Sequence, residues 1–318
     1  MVPFLVSISL KSQQRPSIYH WQYTTLVIIY DAVIIRKIKV ILSFHPLFEA
    51  DRNILCAGRD PGQEELAAIK TARAVILPQG CRESLYVMAR QNCPYVFPNY
   101  DKRFEFPDKI GQARLFQNAG VPHPHTRSYA SVAVFKKNTH ADPVPGFTFP
   151  FVFKFDWGGE GDNVFLVKSP ADLEKLVNKA ISYEITGQYG FLLQEYIPTQ
   201  GRSLRVVVIH QAFISYWRQQ ESPTFFYTNI KTGAVIESDK DPLVQEKAVA
   251  AATTFCSHSG INLAGFDFLF SETSLKQGRV EPLFLEINYF FGRKGLGGSD
   301  AYYKILQREI DNWVYRLS

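Results

Sequence analysis

The segments NLAGFDFLF (262–270) and PLFLEINYFFGRKGLGGSDAYY (282–303) decide how this chain is read. In the first, alternation puts Phe266, Phe268 and Phe270 on one face of a strand and Asp267 on the other. In the second, Leu285 and Ile287 share one side, and Glu286 and Asn288 the other, just before a glycine-rich loop. If the two strands pair, Asp267, Glu286 and Asn288 converge as oxygen ligands. Buried carboxylates are costly unless they are paired or bound to a metal. A hard cation such as Mg²⁺ takes a few protein oxygens and completes its octahedron with phosphates and waters. Two acids and an amide among aromatic strands therefore favour a metal site over a structural role.

Two segments upstream carry matching chemistry. FPFVFKFDWGGEGDNVFLV (149–167) reads as a hairpin with Lys154 on its first strand and Gly158, Gly159 and Gly161 at its tip. Glycines there let backbone N–H groups close on phosphate oxygens, although the spacing differs from a GxxxxGK[ST] loop opening a helix. An ordinary hairpin turn with a surface lysine is the plainer alternative. LLQEYIPTQGRSLRVVVI (192–209) delivers Gln194 and Glu195 at a strand end that bends at Pro198, suited to reading a purine edge. Arg202 and Arg205 follow, and Arg218 lies in ISYWRQ. Guanidinium forks suit phosphate and carboxylate, though any single one of these can be an exposed strand arginine.

Outward from these segments the pattern is mixed α and β. From 37 to 106, strand, helix, strand, helix and strand alternate with short connections, which predicts a small parallel sheet. A helix is expected over 107–119, Pro at its start and Gly after its end. An extended proline-rich connection follows it, and a surface loop is expected over 136–148. Strands at 149–155, 163–168, 191–196, 204–209, 212–218, 264–270 and 282–288, with helices near 170–183, 240–259 and 299–316, describe an α+β domain with a mostly antiparallel sheet.

Composition narrows the function classes. The 318 residues carry a net charge of +5 with the basic residues scattered, so no nucleic-acid surface is expected. Cys56, Cys81, Cys93 and Cys256 show no CxxC pair or metal-ligand spacing and read as reduced thiols of a cytoplasmic protein. Residues 1–36 read as an irregular extension, and the run LVIIYDAVII (26–35) is too short to span a bilayer. No membrane partner is expected.

The ordered set of DKIGQARLFQNAGVPHPHT (108–126), VFKFDWGGEGDNV, QEYI with Arg205, GFDFLF and FLEIN resembles the ATP-grasp superfamily. It is most similar to the carboxylate–amine ligases that include ribosomal-protein glutamate ligase and glutathione synthetase. The resemblance covers about residues 107–318 and implies an α+β ATP-grasp fold preceded by a small α/β parallel-sheet domain at 37–106. A flexible flap subdomain would span about 125–196 and a C-terminal subdomain about 197–318. It implies ATP with Mg²⁺, or Mn²⁺ in its place, and small-molecule or peptide carboxylate and amine substrates. Lys109 and Lys154 would hold phosphates, Gln194, Glu195 and Ile197 would line the adenine pocket, and Gly158, Gly159 and Gly161 would form the flap tip. Arg205 and Arg218, assisted by Asn229, would contact the transferred phosphate, and Asp267, Glu286 and Asn288 would bind metal. Relatives carry an acid where this chain has Ser203, and S-P-G where it has YFFGRKGLGGSD, so substrate choice is not inherited. An ATP-binding scaffold, a small-molecule kinase and homo-oligomerisation stay open at this point.

Overall fold

A computed structural model describes residues 40–138, 144, 146–158, 161, 163–220 and 234–317. The expectations for residues 1–36, Gly159 and Asn229 fall outside them. Apolar runs between amphipathic helices build a four-stranded parallel sheet, ordered β2-β1-β3-β4, from β1 (Val40–Ser43), β2 (Arg52–Asn53), β3 (Ala72–Ile76) and β4 (Val96–Phe97). Helices α1 (Gln63–Thr71) and α2 (Glu83–Asn92) supply the crossovers. The two-residue β2 was invisible in sequence. The turn before it is tied by Asp51, whose carboxylate accepts from the Ile41 N–H at 2.8 Å.

Two short helices, α3 (Asp101–Glu105) and α4 (Asp108–Ala119), lead to an antiparallel sheet ordered β5-β8-β6-β7. Its strands are β5 (Thr126–Tyr129), β6 (Phe151–Phe155), β7 (Val164–Val167) and β8 (Phe191–Glu195). Alternation aims Phe151, Phe153, Phe155 and Phe191 at α5 (Val132–Asn138) and α6 (Pro170–Ile185), where they pack with Phe135, Leu176, Val177 and Ala180. Each such ring contributes about 1.5–3 kcal/mol by burial. The opposite face, with Thr126, Lys154, Leu192 and Gln194, is left for the site. The proline-rich connection therefore contains a strand, because its TRSY sequence pairs with β8 rather than burying an apolar run. The loop expected over 136–148 is also corrected: α5 reaches Asn138, and Val144 and Phe147 are buried in the aromatic core.

The third sheet is antiparallel, ordered β11-β10-β9-β12-β13, from β9 (Arg202–Ile209), β10 (Ala212–Gln219), β11 (Val235–Glu237), β12 (Leu263–Leu269) and β13 (Leu283–Asn288). Leu204, Val206, Val208, Phe266 and Phe268 face α7 (Pro242–Ser259) through Ala248, Ala252 and Phe255. The same core takes in Leu42, Val75 and Tyr100 of the parallel-sheet region. On the other face Val207, Ile209 and Tyr216 pack with Tyr302, Leu306 and Ile310 of α9 (Ser299–Tyr315), which covers part of the sheet. A further short helix, α8 (Glu272–Lys276), precedes β13. The register of β13 shifts between the pairs Asp267↔Glu286 and Phe268↔Phe284. Leu285 is the extra residue of this bulge, so Phe284 joins Ile287 in the core and Leu285 turns toward the site, against the strict alternation expected.

Candidate active site

Antiparallel partners directly opposite one another share a face. The register places Tyr216, Arg205, Asp267 and Glu286 in one row across β10, β9, β12 and β13. Ser203 and Arg218 form the next pair along the first two strands, and Asn288 stands two residues beyond Glu286. The expected convergence of Asp267, Glu286 and Asn288 is therefore a consequence of strand pairing.

Asp267 is the hub of the row. Its carboxylate accepts from Arg205 Nε and Nη2, both at 2.7 Å, and from Arg218 Nη2 at 2.9 Å. Asn288 Nδ2 donates to it at 3.2 Å. Burial alone would raise the Asp267 pKa, but the two guanidinium groups overcome it and hold the carboxyl below its ordinary range. Two buried arginines thus share one carboxylate. Arg218 also donates to Ser203 Oγ at 2.9 Å, and among the described residues its buried Nε has no hydrogen-bond partner. Burial lowers the Arg218 pKa, only partly opposed by Asp267. A buried cation with a spare donor calls for an anion.

Across a cavity from Glu286, at the end of this row, lies the polar face of the second sheet. The cavity is lined by Lys154, Leu192 and Gln194 from that sheet, Lys109 and Gln112 from α4, and Leu285 and Glu286 from β13. Burial pushes the Lys154 ammonium down to about 8, while the Glu286 carboxylate pulls it back up. Gln194 is buried and donates to Thr126 Oγ1 at 3.0 Å, which fixes its amide at the cavity wall. Gln112 bridges the Ile287 backbone, donating to its carbonyl at 2.9 Å and accepting from its N–H at 2.8 Å. That pair of bonds locks α4 to β13 and so fixes Lys109 relative to Glu286.

The glycine-rich tip is anchored from α4. Lys109 Nζ donates to the carbonyls of Trp157 at 3.1 Å and Gly158 at 2.6 Å. Asp156 Oδ1 accepts from the Ile110 N–H at 2.8 Å, satisfying one free donor at the start of α4. Gly158 has φ of 83°, and a Cβ there would lie 2.5 Å from Asn163 Nδ2, so only glycine fits this bend. Gly161, at the far side of the tip, is half-buried. Glu195 stands apart from the cavity: it is exposed, and its carboxylate accepts from the His125 N–H at 3.3 Å. Ile197 lies beyond the end of β8 and is half-buried. Sequence reasoning passed over Gln112, Asp156 and Thr126, whose partners lie 46 to 175 residues away.

A nucleotide triphosphate and a hard cation fit these groups. Arg218 Nε, Arg205 and Lys154 offer positive charge to phosphate oxygens. Among the described residues the Glu286 carboxylate has no hydrogen bond or ion pair, and no three His, Cys, Asp or Glu side chains gather into a self-sufficient metal site. Two carboxylates and an amide suit a cation whose remaining ligands come from phosphate and water.

The model of the RimK-like ATP-grasp domain matches residues 107–307. The chain belongs to the RimK-like ATP-grasp family. Its fold is similar to that of a RimK-domain ATP-grasp protein from Sphaerobacter thermophilus, at 17% identity and a TM-score of 0.54 over 75% of this chain and 81% of that one. It is also similar to the D-alanine–D-alanine ligase from Bacillus anthracis complexed with ATP, at 14% identity and a TM-score of 0.56, covering 80% and 83%. The VanG D-Ala:D-Ser ligase from Enterococcus faecalis matches at 16% identity and a TM-score of 0.55, covering 76% and 72%. No curated protein sequence matches the chain. The ATP-grasp fold with its antiparallel sheets, and the parallel sheet before it, agree with the reading from sequence. Among the described residues no helix is long and apolar enough to cross a membrane.

Proposed function

We propose that this RimK-like ATP-grasp protein is an ADP-forming carboxylate–amine ligase. The observation that carries the reading is the buried pair Arg205 and Arg218 sharing the Asp267 carboxylate, with Arg218 Nε left without an acceptor among the described residues, next to Glu286, which lines a cavity together with Lys154. An excess of buried positive charge suits a group that gains negative charge in transit. A substrate carboxylate oxygen attacks the γ-phosphorus of ATP, the bridging P–O bond to ADP breaks, and an acyl phosphate forms. An amine then attacks the acyl carbon, loses a proton, and displaces inorganic phosphate.

The chain's part is positioning and charge neutralisation rather than acid–base chemistry. Lys154 and Lys109 hold phosphate oxygens from the second sheet and α4. Gln194 and Thr126 face the base from the cavity wall, and Glu195 and Ile197 would reach it only from the strand exit beyond the cavity. Arg205, Arg218 and Asn229 steady the transferring phosphoryl group. The hairpin tip at Gly158 and Gly161 excludes water, which would hydrolyse an acyl phosphate. Glu286, Asp267 and Asn288 would hold Mg²⁺, which neutralises phosphate charge when bound. Asp267, whose carboxylate is paired with Arg205 and Arg218, would serve as a ligand to the extent that phosphate oxygens take up the arginine donors.

The test is ADP release from ATP and Mg²⁺ with a panel of carboxylates, each with and without an amine. Ligation predicts release that needs both, with an amide product. Release with a lone substrate and a stable phosphorylated product would make the protein a kinase. ATP binding with no release for any pair would support a scaffold.

A further inference from the structure

Beyond Asn288 the chain passes through Tyr289, Phe290 and Phe291 into a 3₁₀ turn, Lys294–Leu296, ahead of α9. This loop is built against the active-site row. A Cβ at Gly295 would lie 2.2 Å from the Tyr216 ring, and Tyr216 pairs directly with Arg205. On the loop, the half-buried Arg293 guanidinium stands 4.9 Å from the Tyr302 ring centroid and 4.5 Å from that of Tyr303. Its Nη1 lies 3.5 Å from Ser299 Oγ, and it has no carboxylate partner among the described residues. Stacking fixes the plane of a guanidinium and leaves its donor edge available.

Tyr303 meets a second donor, His45, from the loop after β1. The imidazole is buried and edge-on to Tyr303, with centroids 6.2 Å apart. Its Nδ1 accepts from the Leu47 N–H at 3.1 Å, so a neutral ring carries its proton on Nε2. Burial first, and Arg293 second, push its pKa down to about 4, so the ring is neutral at physiological pH. From the loop after β3, Gln79 accepts from Tyr302 Oη at 3.3 Å and donates to the Tyr289 carbonyl at 3.2 Å, bracing the rings beneath Arg293. The loops bearing His45 and Gln79 leave the carboxyl ends of parallel strands, where open α/β sheets take ligands.

We propose that Arg293 and His45 form a receptor for a carboxylate of the second substrate, a specificity site beside the phosphoryl-transfer centre. The assignment of that carboxylate to a co-substrate rests on the ligase reading; the receptor itself does not. A planar fork carrying one charge, plus a neutral N–H, matches a monoanionic carboxylate better than a phosphate dianion.

The full chain with ¹⁵N-labelled arginine is titrated with N-acetylglycine, N-acetylglycinamide and inorganic phosphate, following the Nε–Hε resonances. The Arg293 peak is assigned by its loss in Arg293→Met. The peak is expected to shift saturably with N-acetylglycine, not with the amide, and His45→Phe is expected to weaken binding about tenfold. A non-saturating shift, an equal response to the amide, tighter binding of phosphate, or unchanged affinity in His45→Phe overturns the proposal. In ADP-release assays, Arg293→Met should raise KM for acceptors bearing a carboxylate about tenfold or more, with KM for ATP unchanged. Equal KM values for wild type and variant would also overturn it. Saturable binding without ADP release for any acceptor would remove the ligase reading and leave the receptor standing. ADP release without saturable binding would do the reverse.

Discussion

Asp267→Asn separates two roles that the site gives one side chain. The native carboxylate accepts two bonds from Arg205 at 2.7 Å and one from Arg218 at 2.9 Å, all three groups being buried. The amide keeps the shape and one acceptor oxygen but removes the only carboxylate paired with these arginines among the described residues. Removing one partner of a buried ion pair costs about 3–5 kcal/mol, because a charge is left uncompensated. At roughly 1.5–2 °C per kcal/mol for a chain of about 300 residues, the thermal midpoint should fall by about 5–10 °C. Differential scanning calorimetry in EDTA reads this without metal. Removing Arg218 as well, as Asp267→Asn with Arg218→Met, takes away one stranded cation and should recover part of the loss, a coupling visible in a double-mutant cycle. Metal-free tripolyphosphate should bind Asp267→Asn more tightly than wild type, because the arginines are released from their carboxylate. A midpoint within 2 °C of wild type, or weaker tripolyphosphate binding, would refute the counter-ion role.

Further outcomes are expected at three residues. Glu286→Gln should abolish Mg²⁺-dependent ADP formation while leaving the thermal midpoint near wild type, since no described group pairs with this carboxylate; full activity would remove it from the metal site. Lys154, held near 8 in the folded chain against an ordinary 10.5, should make ATP affinity fall as pH rises above about 8, and calorimetric titration of Lys154→Met should lose that dependence. Because the unfolded lysine keeps its proton up to the higher value, this residue should add stability as pH rises from about 8 to 10.5, the sign opposite to a salt-bridged lysine. Lys109→Met frees the Trp157 and Gly158 carbonyls, so Trp157 fluorescence should change and ATP affinity should drop about tenfold; an unaltered spectrum would show that the tip holds itself.

The sequence carried the parts whose cause is local. Period-two alternation in β12 set Phe266, Phe268 and Phe270 on one face and Asp267 on the other, and the structure keeps that division. Asp267, Glu286 and Asn288 came together because antiparallel pairing of two recognisable strands brings them together. Leu285 defeated the same reasoning, since a bulge leaves no periodic trace within its own strand. Strand β5 was hidden because TRSY has little apolar content and is held by its ladder to β8, a partner some 65 residues away. The pairing of Asp267 with arginines on strands β9 and β10 could not be read either, because it depends on which strands become neighbours. His45 gave no signal of its own: its meaning comes from Tyr303, more than 250 residues along the chain.

Carboxylate activation can be followed atom by atom. With an ¹⁸O-labelled carboxylate substrate identified in the ADP-release screen, its amine partner, ATP and Mg²⁺, the inorganic phosphate released is analysed by mass spectrometry. An acyl phosphate requires one ¹⁸O in each phosphate formed, transferred from the carboxylate. Phosphate that carries no label, and takes its new oxygen from H₂¹⁸O when the solvent is labelled instead, would contradict ligation through an acyl phosphate.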